Sequence, residues 1–227
     1  MNGGLIFRDR REAGRQLAER LKTYTILDDV LVLALPRGGV PVGYEIARTL
    51  NAPLDVFLVR KLGVPGHEEL AMGSIATGGV RVLNTDIVNA LRIPDWVIEE
   101  AAAREERVLE QREISYREGR PAPQIAHRTV ILVDDGLATG ASMRAAVRAL
   151  RAQNPAALIV AVPVAAESTC RQLSEEVDAI VCLETPEPLF SVGYWYEDFS
   201  QTTDEEVRHL LQEAYDGRRT EEEASKP

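Results

Sequence analysis

The residues best suited to chemistry lie in one segment, VILVDDGLATGAS, at residues 130–142. An apolar run ends in two carboxylates, Asp134 and Asp135, and a glycine-containing turn leads into Ala138, Thr139, Gly140, Ala141 and Ser142. The glycines allow a tight turn, after which several backbone N–H groups can converge at a helix N-terminus. Such a turn can bind a phosphate, helped by the two hydroxyls and the helix dipole. The adjacent carboxylates can accept hydrogen bonds from vicinal hydroxyls of a sugar attached to that phosphate.

Two further segments place basic residues directly after apolar runs. LPRGG contains Arg37, Gly38 and Gly39, and VRKLG contains Arg60 and Lys61. The glycines permit unusual backbone geometry, and the three cations are suited to an anionic group such as a diphosphate. Taken singly, the first segment is equally well an ordinary strand-to-helix turn, and the second is typical of surface charge.

The elements that must position these residues follow from the hydrophobic pattern. Five apolar runs are too short and too β-branched for helices: VLVLAL (30–35), LDVFLV (54–59), TVILVD (129–134), ALIVAV (157–162) and DAIVCL (178–183). Such continuous runs suit strands buried on both faces of a parallel sheet. Helical patterns occupy 9–22, 41–50, 142–152 and 167–176. The order of elements predicts an α/β fold with the polar segments at strand ends.

A long insertion separates the second and third predicted strands, at about residues 61–128. Its first part, MGSIATGGVRVLN (72–84), alternates around two glycines and predicts a β-hairpin. Its second part, roughly 95–117, predicts one long exposed helix whose charges form a solvated face. We expect the insertion to act as a lid, and the end of its helix could reach the site through Tyr116, Arg117 and Arg120.

The 130–142 segment is neither a P-loop nor a GxGxxG dinucleotide-binding turn. It resembles the ribose-5-phosphate signature of type I phosphoribosyltransferases, with strand, acidic pair and A-T-G-A-S loop in that family's order. PRGG resembles the family's pyrophosphate loop, where a strained or cis peptide is common, so Arg37–Gly38 is the expected bond. The pair Arg60 and Lys61 resembles the basic dipeptide that opens the mobile catalytic loop of adenine and orotate enzymes.

This resemblance covers roughly residues 5–215 and carries implications for fold and reaction. It implies a doubly wound parallel sheet of order 2-1-3-4-5. The long insertion departs from the family, which has a short flexible loop between strands two and three, so we expect a larger lid here. A small C-terminal hood is expected at about 184–215, together with the N-terminal helix. It implies binding of 5-phosphoribosyl-1-pyrophosphate with Mg²⁺ and transfer of the phosphoribosyl group to an acceptor, with release of pyrophosphate. The rival functions are a non-catalytic sugar-phosphate sensor on the same fold, and a hydrolase or other transferase acting on the same sugar phosphate.

The resemblance also assigns roles to residues. The implied catalytic residues are Asp134, Asp135, Arg60 and Lys61, and Asp134 would reach Mg²⁺ through water. The implied 5-phosphate site is Ala138, Thr139, Gly140, Ala141 and Ser142. The implied pyrophosphate site is Arg37, Gly38, Gly39, Arg60 and Lys61.

The acceptor site is expected in LETPEPLFSVGYWYEDF, residues 183–199, which is rich in aromatic side chains. Aromatic residues just beyond a strand end suit a surface that stacks a flat ring. In the purine enzymes of the family the acceptor base lies in this region, so Phe190, Tyr194 and Trp195 are the candidates. The alternative is that these rings pin a loop to the core. The chain is most similar to a bacterial group of phosphoribosyltransferases whose acceptor is unassigned, so the acceptor stays an unidentified small molecule.

The composition of the chain indicates which kinds of binding partner are unfavourable. The 227 residues carry a net charge of -10, which opposes binding to nucleic acid or to an anionic membrane. Neither a signal peptide nor a long apolar segment is visible, which predicts a cytoplasmic protein. Cys170 and Cys182 lack metal-ligand spacing and are expected to be packed thiols. Residues 216–227 are typical of a flexible tail, and a homodimer is among the assemblies expected.

Overall fold

The computed structural model describes residues 6–224. The strands are β1 (Val30–Ala34), β2 (Leu54–Val56), β3 (Val59–Val64), β4 (His67–Ala76), β5 (Val80–Leu83), β6 (Thr129–Val133), β7 (Ala157–Val164) and β8 (Ala179–Glu184). The helices are α1 (Arg10–Leu21), α2 (Gly39–Leu50), α3 (Thr85–Leu91), α4 (Asp95–Arg117), α5 (Ala141–Arg151), α6 (Glu167–Ser174) and α7 (Asp204–Ala224). Two short 3-10 helices lie at Lys22–Ile26 and Val192–Trp195.

The central sheet has the order β2-β1-β6-β7-β8, and all its strands are parallel. Alternate residues of each strand face opposite sides. On β6, Ile131 packs with residues of α1 and α2, whereas Leu132 packs with residues of α5 and α6. Burial on both faces explains why these strands are continuous apolar runs. The predicted doubly wound parallel sheet, with core strands in the order 2-1-3-4-5, is therefore confirmed.

The insertion forms a small antiparallel sheet of order β3-β4-β5 together with α3 and α4. The predicted hairpin is present, and its turn contains Gly78 and Gly79 at positive φ. The second predicted strand is shorter than expected, because β2 ends at Val56 and the chain enters the small sheet at Val59. Residues 60 and 61 thus lie in a strand, and not in the loop that the resemblance implied.

The long helix α4 is present where it was predicted, but it is not simply exposed. It buries one row of residues: Ile98, Ala101, Ala102, Leu109, Tyr116 and Arg117. The Arg117 Nε atom donates to Asp55 on β2 at 2.9 Å, and Tyr116 donates to the Asp204 carboxylate at 2.6 Å. These contacts anchor α4 to β2 and α7. Arg120 likewise donates to backbone oxygens, including that of Leu211 on α7. Asp204, the acceptor of the Tyr116 hydroxyl, also lies 4.0 Å from the Arg37 guanidinium. The expectation that the helix end reaches the site stays a prediction.

Two further expectations differ from the structure. Cys170 on α6 and Cys182 on β8 are joined in a disulfide, so they are not free packed thiols. The chain is helical from residue 204 to residue 224, where a flexible tail was expected from residue 216, and residues 225–227 lie outside the described part. No helix within residues 6–224 combines the length and the apolar composition needed to cross a membrane.

Candidate active site

The chemistry-bearing segments meet at one edge of the central sheet. Strands β1, β2 and β6 are adjacent and parallel, so their carboxyl ends lie side by side. LPRGG follows β1, the start of the small sheet follows β2, and the acidic pair with its loop follows β6. In open α/β sheets, ligands bind at this edge, near the point where the strand order reverses. Here that point lies between β1 and β6, from which the chain continues in opposite directions across the sheet.

The PRGG turn lies in contact with the acidic pair. A Cβ atom added to Gly38 would lie 2.0 Å from Asp135 Oδ2, and one added to Gly39 would lie 2.7 Å from the Val133 carbonyl oxygen. Only glycine allows this approach, which is the physical reason for both glycines. The turn contains a cis peptide, but the bond is Pro36–Arg37 and not the expected Arg37–Gly38.

The loop after the acidic pair leads directly into α5. Gly140 is the N-cap residue and has a positive φ of 67°, and no side chain of the described residues caps the helix. The loop backbone is held from outside by two contacts. Thr169 Oγ1 donates to the Ala138 carbonyl at 2.8 Å, and Arg144 donates to the Thr139 carbonyl at 3.0 Å. Carbonyl oxygens therefore point toward their neighbours, and the uncapped N-terminal N–H groups of α5 are available for an anion.

The two carboxylates differ in their partners. Asp135 accepts a hydrogen bond from Arg10 Nε at 2.8 Å, and both side chains are largely buried, at 16% and 11% exposed. Asp134 has no ion-pair partner among the described residues, and it accepts only the Asp135 backbone N–H at 2.9 Å. Burial raises the pKa of Asp134 well above its ordinary value, and the adjacent Asp135 charge raises it further. Asp134 is therefore a carboxylate short of positive partners, a state that a bound cation would relieve.

Asp134 lines a cavity of about 160 Å³, which we call the Asp134 cavity. Its walls come from every segment described above: Leu35 and Pro36 after β1, Phe57 and Leu58 after β2, Val59 and Arg60 of β3, Ser142 of α5, and Arg112 of α4. The insertion therefore supplies part of the cavity wall through Val59, Arg60 and Arg112, and its role as a lid stays a prediction. Arg112 was not anticipated from the sequence, because it is one of several arginines on a charged helix and nothing local distinguishes it.

The predicted cations are not brought together as one cluster. Residues 60 and 61 point to opposite faces of β3, since side chains alternate along a strand. Arg60 lines the Asp134 cavity and pairs with Glu105 of α4 at 2.6 Å, whereas Lys61 lines a different groove beside α5. The Arg37 guanidinium lies 4.0 Å from the Asp204 carboxylate at the start of α7.

The segment after β8 contacts the acidic pair and the residue that follows it. Tyr196 donates its hydroxyl to the Asp135 carbonyl at 2.6 Å, and a Cβ atom on Gly136 would lie 2.4 Å from a methyl group of Val192. Phe7 bridges to Tyr196 in a short parallel pairing, so the N-terminal segment is part of the same structure. The segment after β8 and the N-terminal residue Phe7 therefore lie beside the acidic pair, and their role as a hood stays a prediction.

The three aromatic residues proposed for the acceptor do not line the Asp134 cavity. Phe190 and Tyr194 are 85% and 76% exposed. Trp195 is half-buried and packs in a cluster with Phe7 and Tyr196. Their role in acceptor binding stays a prediction.

Arg10 is the second residue that sequence reasoning missed. Beyond its pair with Asp135, its Nη1 atom donates to the Ser200 carbonyl at 2.7 Å, and its guanidinium lies 3.9 Å from the centre of the Phe199 ring. The residue is 125 positions away from Asp135 in the chain, so no local pattern could have connected them.

A doubly wound parallel sheet with a glycine-containing loop and an acidic pair at the carboxyl ends of its strands defines the class of α/β fold to which this protein belongs. Within that class the chain belongs to the phosphoribosyl transferase domain family, whose sequence model matches residues 10–198. The resemblance noted in the sequence is thereby confirmed.

Two similar proteins and one similar solved structure agree with this family assignment. Two curated proteins of Mycobacterium tuberculosis, from strains CDC 1551 and H37Rv, are each 44% identical over 211 residues, and both bear the name "Putative phosphoribosyl transferase". The alignments cover 92% of this chain and 47% of each relative, so the chain spans about half the length of these relatives. The crystal structure of TT1426 from Thermus thermophilus is 45% identical, with a TM-score of 0.81, over 92% of this chain and 99% of that one.

Proposed function

We propose that this chain is a phosphoribosyltransferase that binds 5-phosphoribosyl-1-pyrophosphate with Mg²⁺. It transfers the phosphoribosyl group to a small-molecule acceptor and releases pyrophosphate. The observation that carries the proposal is the meeting of an uncapped helix N-terminus, a PRGG turn and an acidic pair around the Asp134 cavity. A sugar carrying a phosphate at one end and a diphosphate at the other needs these three features.

The 5-phosphate belongs at the start of α5, on the backbone N–H groups of residues 138–142 and the hydroxyls of Thr139 and Ser142. Support for this comes from Gly140, whose positive φ turns the backbone into the helix without a capping side chain. The helix dipole adds a favourable term for the anion. Two contacts to α6 and α5 hold the loop in place before ligand arrives, which reduces the entropy lost on binding.

We assign the diphosphate to the PRGG turn, with Arg37, Gly38 and Gly39, and to Arg60, which lines the cavity. Arg112 is an added candidate for the same role, because it lines the cavity with Arg60. Lys61 was grouped with Arg60 from the sequence. Its place on the other face of β3 leads us to leave it out of the diphosphate site.

We assign Asp134 to the electrostatic stabilisation of the transition state. Loss of pyrophosphate leaves positive charge at ribose C1, and a nearby carboxylate stabilises that charge only as it develops. Asp135 is partly neutralised by Arg10, so we assign it to positioning the ribose hydroxyls and the PRGG turn. Neither carboxylate needs to act as a general base.

The residues fit a Mg²⁺ ion carried mainly by the substrate. Mg²⁺ usually uses one or two carboxylates together with phosphates and several waters. No cluster of three or more His, Cys, Asp or Glu side chains occurs among the residues described, so the protein would not hold the ion alone. Asp134 would hold it, through water, and the ion would neutralise diphosphate charge when bound.

The test is a binding and product experiment. We expect the sugar diphosphate with Mg²⁺ to stabilise the fold by about 2.7 kcal/mol at 100 times its dissociation constant. Incubation with pooled nucleobases, followed by mass spectrometry, should then reveal a ribosylated product and pyrophosphate. Absence of any thermal shift at millimolar ligand would refute the assignment. Ribose 5-phosphate appearing without an acceptor would indicate the hydrolase alternative, and binding without turnover would favour the sensor.

A further inference from the structure

The small sheet has two faces that differ in their charge balance. On the face toward α4, Arg60 and Arg81 are both matched by carboxylates. Arg60 pairs with Glu105 at 2.6 Å, and Arg81 pairs with Glu99 at 2.7 Å and lies 3.6 Å from Glu106. Cations and anions thus alternate across that interface, as is expected where charged side chains pack together.

On the opposite face of the small sheet, a lysine of the sheet shares a groove with two arginines of α5. Lys61, Ser74 and Val82 are direct cross-strand neighbours on β3, β4 and β5. They line a groove of about 280 Å³ whose far wall is α5, with Arg144 and Arg148. We call it the basic groove. Its other described walls are Ala71, Gly73, Leu83, Asn84, Ala141 and Ala145, so no described carboxylate lines it.

The charges of the basic groove are incompletely neutralised. Lys61 has no hydrogen bond or ion pair among the described residues. The Arg144 guanidinium donates to two neutral oxygens, those of the Gln172 side chain and the Thr139 carbonyl. Arg148 alone has an anionic neighbour, Glu176, at 3.3 Å. Like charges that face each other without a bridging anion are unfavourable, and the net charge of -10 makes this local excess more unusual.

A neutral polar group also points into the groove. Ser74 is only 7% exposed, and its hydroxyl has no hydrogen-bond partner in the part of the chain that the structure describes. Among the described residues, no fully buried side-chain oxygen or nitrogen lacks a partner, so this hydroxyl must be accessible from the groove. Apolar side chains, those of Val82 and Leu83, flank it. The lining therefore combines cations, a hydroxyl and an apolar wall, which is the usual composition of a small-ligand site.

We propose that the basic groove is a second ligand site, for a small organic phosphate with an apolar or aromatic part. The phosphate would bridge Lys61 with Arg144 and Arg148, and the apolar part would lie on Val82 and Leu83. The volume is near the lower end of the range for small-molecule pockets, about 300 Å³, so the ligand is small. The groove and the Asp134 cavity share no lining residue, so binding in the groove is tested apart from the proposed transferase activity; Ala141 of the groove also belongs to the loop assigned to the 5-phosphate. The groove and the cavity are nonetheless adjacent, since Ala141 lines one and Ser142 the other.

The test measures binding of phenyl phosphate and of inorganic phosphate by isothermal titration calorimetry. Phenyl phosphate carries the phosphate and a ring without a ribose, which makes it a minimal probe of the groove. We expect it to bind more tightly than inorganic phosphate. Lys61→Gln and Arg148→Gln should each weaken it by about tenfold, the usual effect of losing a hydrogen bond to a charged group.

The matched control is Arg151→Gln. Arg151 lies on the same helix, carries the same charge and pairs with Asp178 at 2.9 Å, outside the groove. This variant should bind phenyl phosphate like the wild type. Equal weakening by the control would show a general charge effect and overturn the site. Unchanged affinity in both groove variants, or equal affinity for the two probes, would also overturn it. A thermal shift with the sugar diphosphate is measured separately, so failure of the groove and failure of the transferase assignment are distinguishable.

Discussion

Replacing Arg10 with glutamine should destabilise the fold more than any surface substitution of an arginine. Arg10 joins three parts of the molecule: its own helix α1, the acidic pair through Asp135, and the segment after β8 through Ser200 and Phe199. The substitution leaves the Asp135 carboxylate buried without its cation. That unpaired charge, more than the lost contact, is the source of the cost.

The size of the expected loss of stability follows from the burial of the Arg10–Asp135 ion pair. Arg10 and Asp135 are 11% and 16% exposed, so solvent screens them little. Removing one partner of a buried ion pair costs about 3–5 kcal/mol. Stacking of the guanidinium on Phe199 accounts for about 0.5–1 kcal/mol of the loss. For a chain of this size, the melting temperature should fall by about 6–20 °C.

The assay is urea unfolding followed by circular dichroism, for the wild type, Arg10→Gln, Asp135→Asn and the double variant. The double variant should recover much of the loss, giving a coupling free energy of about 2–3 kcal/mol. Arg8→Gln is the control. Arg8 pairs with the adjacent Asp9, but its side chain is 64% exposed, so this substitution should leave stability unchanged within error.

Two results would refute the reasoning. One is a loss below about 1 kcal/mol for Arg10→Gln, which would mean that the pair is screened like a surface pair. The other is simple additivity in the double variant, which would mean that Arg10 acts through Phe199 and Ser200 and not through Asp135.

Three further predictions concern the turns around the Asp134 cavity. Asp134→Asn should lower turnover by about 10²–10³ and leave ligand affinity less affected, because charge is lost where the transition state develops it. The pKa of Asp134 is raised in the fold, so the wild type loses stability as pH rises from the ordinary carboxyl pKa to the folded pKa. Asp134→Asn lacks this loss. Its advantage over the wild type should grow across that range and be absent below the ordinary pKa, as urea unfolding across pH will show. Gly38→Ala should lower the free energy of unfolding by about 1–3 kcal/mol, because its Cβ would lie 2.0 Å from Asp135. The control is Gly217→Ala, in open space on α7, which should leave stability unchanged or raise it in the same melting assay. Arg37→Ala should weaken pyrophosphate more than ribose 5-phosphate in calorimetry; equal losses would contradict its place at the diphosphate.

The sequence by itself determined the parts of this protein that depend on local pattern. Apolar runs with β-branched residues predict buried strands, and a glycine-rich turn before a helix predicts an anion site, because both are properties of a few consecutive residues. The family resemblance rested mainly on the 130–142 segment, and the strand order was what that resemblance implied; both are confirmed. The hairpin and the long helix of the insertion were also visible in periodicity and composition.

Only the tertiary structure decided which side chains meet. Arg10 reaches Asp135 across 125 positions, and Arg112 reaches the Asp134 cavity from a helix with many arginines, so neither has a local signal. The separation of Arg60 from Lys61 follows from strand alternation, which applies only once residues 59–64 are known to form a strand instead of a loop. Long-range contacts depend on how elements pack, and packing is a property of the whole chain.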